Sequence, residues 1–339
     1  MKPDRRKFLR AAALLAAGTV ATRLHAAKFS VHEPARLLAP RLKKGDLIAL
    51  TAPAGAIFNE DSIQRATTAL EAAGYKVKQG DTLKQRYGYL AGEDTFRATE
   101  LNNLFGDKEV KGIIAMRGGW GCARLLRLID FKQIGANPKV FSGFSDITTL
   151  LLAIYQQTGL ITFHGPVGNS SWGDFTINSF LKLVQEGEAS TLAQPYDAAD
   201  VISGGNFTGK LLGGNLTVLC SLIGSGYLPD FTDSILFLEE TEEEPYSIDR
   251  MLTQLDLNGT LAKAGAVVFG NCAKCIPEEP DKSFTLDEVF AQKFGDLKKP
   301  VMKGFSFGHT RDKFTIPVGA VAYLDTASFS IKLQHGCVE

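Results

Sequence analysis

The chain has 339 residues, of which 45% are apolar and 22% charged, and its basic and acidic side chains are equal in number. That composition is ordinary for a globular protein, and the length exceeds what one hydrophobic core usually organises, so we expect two domains. Without residues 1–26, which hold six basic side chains and one acidic, the chain has 31 basic against 36 acidic side chains and no basic stripe, so nucleic acid is not the expected partner.

Residues 1–26 have the pattern of an export signal. Residues 5–10 read RRKFLR, a twin-arginine sequence, and an apolar run follows over residues 11–21. Eleven residues are too few to span a bilayer as a helix, but they fit the apolar region of a signal peptide. We therefore predict a twin-arginine signal over residues 1–26, no stable membrane anchor, and a periplasmic or secreted mature protein. Without a working signal, the protein would be cytoplasmic.

From Lys44 onwards, short apolar runs alternate with amphipathic stretches. Strands are predicted at residues 47–50, 75–77, 110–116 and 140–144, and helices at 61–73, 95–105 and 145–155. Strand and helix alternating at this spacing predict a mostly parallel sheet covered on both faces. This region, residues 44–168, is the predicted N-terminal domain.

Residues 169–205 break that rhythm and are predicted to connect two domains. They contain one helix-like stretch at 177–184 and then a polar run. In the second domain, residues 206–339, strands are predicted at 235–238, 266–269, 301–307 and 318–324, with an amphipathic helix at 246–257. No internal repeat is visible.

The strongest local signal for chemistry is Ser145, in residues 143–148 (GFSDIT). A serine where a strand turns into a helix is pushed out of the sheet, and the amides that follow it point the same way. This is not the hydrolase elbow G-x-S-x-G, because Ile147 replaces the second glycine. A simple helix cap formed by Ser145 and Asp146 is the structural alternative.

The glycine-rich residues 117–121 (RGGWG) follow the third predicted strand. Glycines there let the backbone approach a ligand, and an amide from this loop could complete an oxyanion hole with the Asp146 amide. The spacing fits neither common phosphate-binding motif, and a plain tight turn is the alternative.

A serine nucleophile needs a base and an acid that orients it. His309 follows a glycine at a predicted strand end, which favours it over His164, also at a strand end. Glu239 stands where a predicted buried strand emerges, as an orienting acid would. A structural role remains the alternative for either histidine.

The five cysteines give only weak signals for disulfides, metal binding or catalysis. Five cysteines do not describe a disulfide scaffold, and Cys272 and Cys275 supply two potential metal ligands with no second pair at zinc spacing, so no metal site is predicted. The sequence does not decide whether Cys272 and Cys275 form a disulfide bond with each other. Cys122, after the glycine-rich loop, is a remote candidate for an amidotransferase-like nucleophile; an ordinary half-buried cysteine explains it better.

Together these segments resemble the L,D-carboxypeptidase family of serine peptidases, which includes the microcin C immunity-type peptidases. The resemblance runs from about Lys44 to the C-terminus. Four stretches carry it, in the family's order: residues 116–121 (MRGGWG); 143–148 (GFSDIT); 236–239 (LFLE) with 244–250 (EPYSIDR); and 307–310 (FGHT) with 316–319 (IPVG).

The resemblance implies a flavodoxin-like, parallel-sheet N-terminal domain and a smaller α/β C-terminal domain. It implies Ser145 as nucleophile, His309 as general base and Glu239 as its orienting partner, with backbone amides of Gly119 and Asp146 in the oxyanion hole. It further implies a homodimer that needs no metal or organic cofactor.

The activity implied is removal of the terminal D-alanine from murein tetrapeptide stems through an acyl-enzyme. Arg117, as a cation for the terminal carboxylate, and Trp120 are predicted substrate contacts. Two alternatives stay open: cleavage of acylated nucleotide antibiotics by the same triad, and a non-catalytic exported protein that binds wall fragments. An export signal departs from the family's usual cytoplasmic setting and leaves the substrate pool open.

Overall fold

The computed structural model describes residues 35–187, 189–193 and 200–339. The predicted signal over residues 1–26 lies outside these ranges. All elements named below belong to one compact unit, Glu33–Glu339. The predicted boundaries at residues 168 and 206 stay a prediction.

The strands alternate with helices along most of the chain. The strands are β1 Leu47–Thr51, β2 Lys76–Gln79, β3 Val110–Ala115, β4 Val140–Gly143, β5 Thr162–His164, β6 Thr191–Ala193, β7 Asp200–Ser203, β8 Asn206–Asn215, β9 Ser234–Thr241, β10 Ala266–Ala273, β11 Val301–Phe305, β12 Ile316–Val318, β13 Val321–Asp325 and β14 Ser330–Leu333. The α-helices are α1 Asp61–Ala72, α2 Asp94–Gly106, α3 Phe131–Ala136, α4 Thr148–Thr158, α5 Asp174–Leu181, α6 Leu216–Ser221, α7 Pro245–Leu257, α8 Thr260–Lys263 and α9 Leu286–Phe294. Over the ranges described, no helix has the length and apolar character to cross a membrane.

The first sheet has six strands in the order β12-β5-β4-β3-β1-β2. Its neighbours from β2 to β5 pair in parallel, and β12 pairs antiparallel with β5. The order β2-β1-β3-β4-β5 is that of flavodoxin-like folds, so the predicted fold of the N-terminal part is confirmed. Consecutive residues of β1 are buried on both faces of the sheet, which is why its sequence is an unbroken apolar run.

The second sheet has eight strands in the order β6-β14-β13-β8-β9-β10-β11-β7. Its centre, from β8 to β11, is parallel, and the strands on either side pair antiparallel. The fold is therefore mixed α/β with two sheets, as the sequence predicts. The central strand β8 was not predicted from the sequence.

One predicted strand, at residues 318–324, is confirmed from residue 321 onwards but is not continuous with residue 318. The chain turns at Gly319, whose φ is +88°, and divides there into β12, in the first sheet, and β13, in the second. A β-carbon on Gly319 would lie 2.1 Å from the Tyr155 ring, so only glycine fits. The last part of the chain thereby contributes a strand to each sheet.

The two sheets meet at the start of α4. The Asn215 amide, at the end of β8, donates to Thr148 Oγ1 at 3.1 Å, and a β-carbon on Gly214 would lie 2.5 Å from Thr148 Cγ2. Asn215 is also the register partner of Glu239 on β9. This contact brings the carboxyl end of β9 towards the turn that contains Ser145.

Candidate active site

The site lies at the carboxyl edge of the first sheet, between the ends of β1, β3 and β4. Parallel strands present their carboxyl ends at one edge, and ligands of open α/β sheets bind where the strand order reverses. In this sheet that point lies between β1 and β3. The loops that follow these two strands touch, since the Gly55 amide donates to the Gly118 carbonyl at 3.2 Å.

Ser145 has a backbone conformation that side chains rarely adopt. Its φ is +63°, and it begins a single 3₁₀ turn, Ser145–Ile147, between β4 and α4. A non-glycine residue held in the left-handed region costs about 1–3 kcal/mol, and such residues cluster at functional sites. The side chain is half-buried, not sealed in the core. This is the geometry of a serine presented at a strand-to-helix turn.

Two glycines make room for this turn. A β-carbon on Gly118 would lie 2.7 Å from Ser145 Cβ and 2.9 Å from Ser145 Oγ, and one on Gly143 would lie 2.7 Å from Ile147 Cγ2. The steric role of Gly118 was not predicted, because it depends on a contact between loops far apart in sequence.

The two segments predicted to form the oxyanion hole are in contact. The Asp146 carboxylate accepts a hydrogen bond from the Cys122 amide at 2.9 Å, which ties the glycine-rich loop to the start of α4. A β-carbon on Gly118 would lie 3.1 Å from the Asp146 amide nitrogen, and neighbouring Gly119 has a φ of +113°. Burial raises the pKa of Asp146, and the Cys122 hydrogen bond opposes this effect. The oxyanion hole itself stays a prediction.

Glu239 and His309 form the central contact of the site. His309 Nδ1 lies 2.7 Å from Glu239 Oε2, and the His309 amide donates to the same oxygen at 3.2 Å. Gly308 permits this approach, since its φ is +83° and a β-carbon there would lie 2.3 Å from Glu239 Oε2. The Glu239 side chain is fully buried, whereas the His309 side chain is 24% exposed.

Glu239 is ionised at neutral pH. Burial raises its pKa, but the hydrogen-bonded His309 and the nearby His164 together outweigh burial and lower the pKa to about 2. A carboxylate that accepts from Nδ1–H fixes the imidazole tautomer and leaves Nε2 as the basic nitrogen. The pair has the arrangement of a general base with its orienting acid.

Ser145 directly follows a residue that packs against this pair, but it is not hydrogen-bonded to the pair. The ring of Phe144, the preceding residue, packs edge-on against the His309 imidazole, with centroids 4.9 Å apart. Within the described ranges, the hydrogen bonds of His309 go to Glu239 and none joins it to the Ser145 hydroxyl. Catalytic hydrogen bonds are often long or unmade in free enzymes and tighten when substrate binds.

His164, the second candidate base, is enclosed. It is 1% exposed, and aromatic rings of Phe144, Phe237 and Phe307 surround it at centroid distances of 5.5 to 6.1 Å. Its Nε2 lies 3.9 Å from Glu239 Oε1, and neither atom has a hydrogen-bond partner among the residues described. Because it is enclosed, His164 is less suited than His309 to act as the base, but it contributes to the field around Glu239.

The remaining candidates lie around this centre. Arg117 Nη1 donates to the Ala56 carbonyl at 3.2 Å, and Trp120 is 64% exposed and packs edge-on against Tyr89. Both flank the glycine-rich loop, and their contacts with substrate stay predictions. Cys122 is fully buried, and burial raises its pKa well above the usual value, so it is not a thiolate nucleophile.

No metal centre is evident around these residues. In the part of the chain that the structure describes, no group of three or more His, Cys, Asp or Glu side chains is placed to hold a metal ion. Cys272 and Cys275 are both free thiols.

Comparison with family models adds to this geometry. Residues 48–165 match the N-terminal domain of the LD-carboxypeptidases, and residues 208–324 match their C-terminal domain. The first match contains Ser145, and the second contains Glu239 and His309.

Known proteins of similar sequence and structure agree with the models. The chain is 37% identical over 303 residues to a probable murein peptide carboxypeptidase of Bacillus subtilis, covering 88% of this chain and 94% of that protein. The structure resembles muramoyltetrapeptide carboxypeptidase from Oxalobacter formigenes, with a TM-score of 0.76, 32% identity, and coverage of 85% and 97%. It also resembles the microcin C7 self-immunity protein MccF in its apo state, with a TM-score of 0.83, 27% identity, and coverage of 89% and 100%.

Proposed function

This chain belongs to the LD-carboxypeptidase family, and from that membership we propose that it removes the terminal D-alanine from tetrapeptide stems of murein. The observation that carries the proposal is the 2.7 Å contact between Glu239 and His309, beside a serine held at positive φ. Relatives named as murein carboxypeptidases support the choice of substrate.

In the first step, His309 Nε2 takes the proton of Ser145 Oγ as that oxygen attacks the carbonyl carbon before the terminal residue. The amides of Gly119 and Asp146 donate to the oxygen that becomes negative, each worth about 3 kcal/mol in the transition state. The carbon–nitrogen bond then breaks, and His309 gives its proton to the departing amine. An ester joins Ser145 to the shortened peptide.

In the second step, water replaces the amine. His309 takes a proton from the water, whose oxygen attacks the ester carbon, and then returns a proton to Ser145 Oγ. Glu239 remains ionised throughout and stabilises the imidazolium formed in each step. The products are a tripeptide stem and a free D-amino acid.

The test is mass spectrometry of defined muropeptides after incubation with the protein. We expect wild type to convert the tetrapeptide into the tripeptide with loss of one alanine mass, and Ser145→Ala to leave it intact. If the purified wild type never shortens the tetrapeptide and behaves as Ser145→Ala does, the proposal fails.

A second substrate class is tested in the same assay. The structural likeness to MccF favours including acylated nucleotides, since related solved structures hold aspartyl sulfamoyl adenosine and glutamyl sulfamoyl guanosine. We expect turnover of the murein peptide to exceed that of an aminoacyl nucleotide amide. The reverse preference would assign the triad to the nucleotide class, and binding without turnover would favour a wall-fragment-binding protein.

We further propose export to the periplasm by the twin-arginine pathway and assembly as a homodimer. The residue pattern at 5–10 supports the first, and the family resemblance supports the second. Fractionation of cells that express wild type or an Arg5→Lys, Arg6→Lys variant tests export. Light scattering of the purified protein gives the mass, and a monomer at micromolar concentration would contradict the homodimer.

A further inference from the structure

Lys313 is a buried lysine next to the residues of the site. Lys313 is 4% exposed, and its Nζ lies 4.4 Å from the centroid of the Phe144 ring. The same ring packs against His309 and directly precedes Ser145. The ammonium and the imidazole of the base thus contact the same aromatic ring, on the residue directly before the nucleophile.

The ammonium lacks the partners that the buried Lys139 and the half-buried Lys299 have. Lys139 Nζ donates to the carbonyls of Leu104, at 3.0 Å, and Asp107, and Lys299 Nζ donates to three carbonyls in residues 261–264. For Lys313 Nζ, the described residues offer neither a hydrogen bond nor an ion pair, only the face of Phe144. A buried charge without partners is costly, and a cation–π contact offsets only part of that cost.

Nearby carboxylates do not neutralise it. Glu239 already accepts two hydrogen bonds from His309, and Asp312 is exposed. Burial lowers the pKa of Lys313 to about 8, while Glu239 and Asp312 act to raise it, so the side chain is largely charged at neutral pH. The site therefore holds a positive charge that has no strong partner.

The backbone of Lys313 is fixed by a neighbouring helix. Its amide donates to Thr176 Oγ1 at 3.1 Å, on α5, and the following Phe314 amide donates to the Ser306 carbonyl at 2.7 Å. The Lys313 side chain therefore extends from a loop whose backbone is fixed by hydrogen bonds, as expected of a preorganised binding group.

We propose that the Lys313 ammonium binds the free α-carboxylate of the residue that is cleaved off. This inference rests on the proposed carboxypeptidase activity and deepens it. In a peptide substrate, the terminal carboxylate lies about one residue length, ~3.8 Å, beyond the carbonyl that Ser145 attacks, so its binding group must lie beside the nucleophile. Arg117, the cation predicted for this role from the sequence, already donates to the Ala56 carbonyl.

The test compares two tetrapeptide stems that differ only in their last group, a free carboxylate or a carboxamide. We expect wild type to prefer the free acid. Lys313→Met keeps the aliphatic length but loses the charge, and it should lower kcat/KM for the free acid at least about 30-fold, mainly through KM. Turnover of the carboxamide should change far less, and Lys313→Arg should restore part of the preference.

A matched control is Lys139→Met, which removes another buried lysine far from the site. It should alter both substrates equally, because any effect passes through stability alone. Binding of both peptides to Ser145→Ala, with and without Lys313→Met, repeats the comparison by calorimetry without turnover and shows whether each variant is folded.

The outcomes separate the two claims. A folded Lys313→Met protein that still prefers the free acid overturns the inference while leaving the carboxypeptidase proposal intact. Loss of the preference in Arg117→Gln instead would move the carboxylate site to the glycine-rich loop. A wild type that neither cleaves nor binds either peptide contradicts the proposed function and the inference with it.

Discussion

At the scale of single residues, the site depends on one buried carboxylate that serves two imidazoles. Glu239 Oε2 is bonded to His309, and Oε1 faces the enclosed His164. The Glu239–His309 pair was predicted from residue order and the family resemblance. The approach of His164 was not, because nothing in the sequence shows that the ends of β5 and β9 meet.

Glu239 should make the protein sensitive to acid. Its pKa is about 2 in the folded state against an ordinary 4.5, so its stabilisation is fully present above pH 4.5 and is lost as pH falls towards 2. The difference corresponds to about 3 kcal/mol. Urea unfolding at pH 7 and pH 3 measures it, and the free-energy gap between wild type and Glu239→Gln should shrink in acid. A gap of equal size at both pH values would contradict this assignment.

Gly118→Ala should damage activity more than stability. The added methyl group would lie 2.7 Å from Ser145 Cβ, so the nucleophile must shift, and a shift near 1 Å can cost about a hundredfold in rate. The control is Gly135→Ala in α3, where the nearest atom is 3.8 Å away and alanine favours the helix. Steady-state kinetics and thermal unfolding of both variants would check this, and an unchanged kcat for Gly118→Ala would be inconsistent with it.

At the scale of elements, a buried arginine holds the loops around the serine. Arg97, on α2, is fully buried and donates to the carbonyls of Pro53, after β1, and Gly121, after β3. It also pairs with Asp94 at 2.5 Å. The loops after β1 and β3, which carry Gly55 and Gly118, are therefore both bonded to a side chain that lies outside the site.

Arg97→Met should lower the free energy of unfolding by about 3 kcal/mol or more, because it leaves buried carbonyls without donors. Arg124→Met is the matched control. Arg124 binds the same Asp94 but is half exposed, and removal of such a pair costs under about 1 kcal/mol. Denaturant unfolding of both variants measures the difference, and equal losses would show that the buried bonds do not matter.

Elements with strong apolar runs were predicted well, and glycine-rich ones were not. β1, β3, β4 and α7 are apolar or amphipathic and lie close to their predicted bounds. β8 has glycines at 209, 213 and 214, which hide its strand pattern, although neighbouring backbone and side chains leave no room for larger residues there. That steric demand arises only when β8 is packed between β9 and α4.

At the scale of the whole molecule, the first sheet supplies the serine, and the second sheet, with the loop after β11, supplies the acid and the base. The fold class follows from alternating elements, and the parallel order of the first sheet agrees with it. What the sequence could not show is how the sheets are joined. The split at Gly319 and the contact of Asn215 with Thr148 are tertiary features with no local signal.

The measurement that tests the central claim most directly is labelling of the protein with a fluorophosphonate, read by peptide mass spectrometry. Phosphorus bonds to an activated serine oxygen as fluoride leaves. We expect one adduct, on Ser145, and slowing of its formation by about a thousandfold or more in His309→Ala. An adduct on another residue, or a rate that does not depend on His309, would contradict the assignment of Ser145, His309 and Glu239 as one catalytic unit.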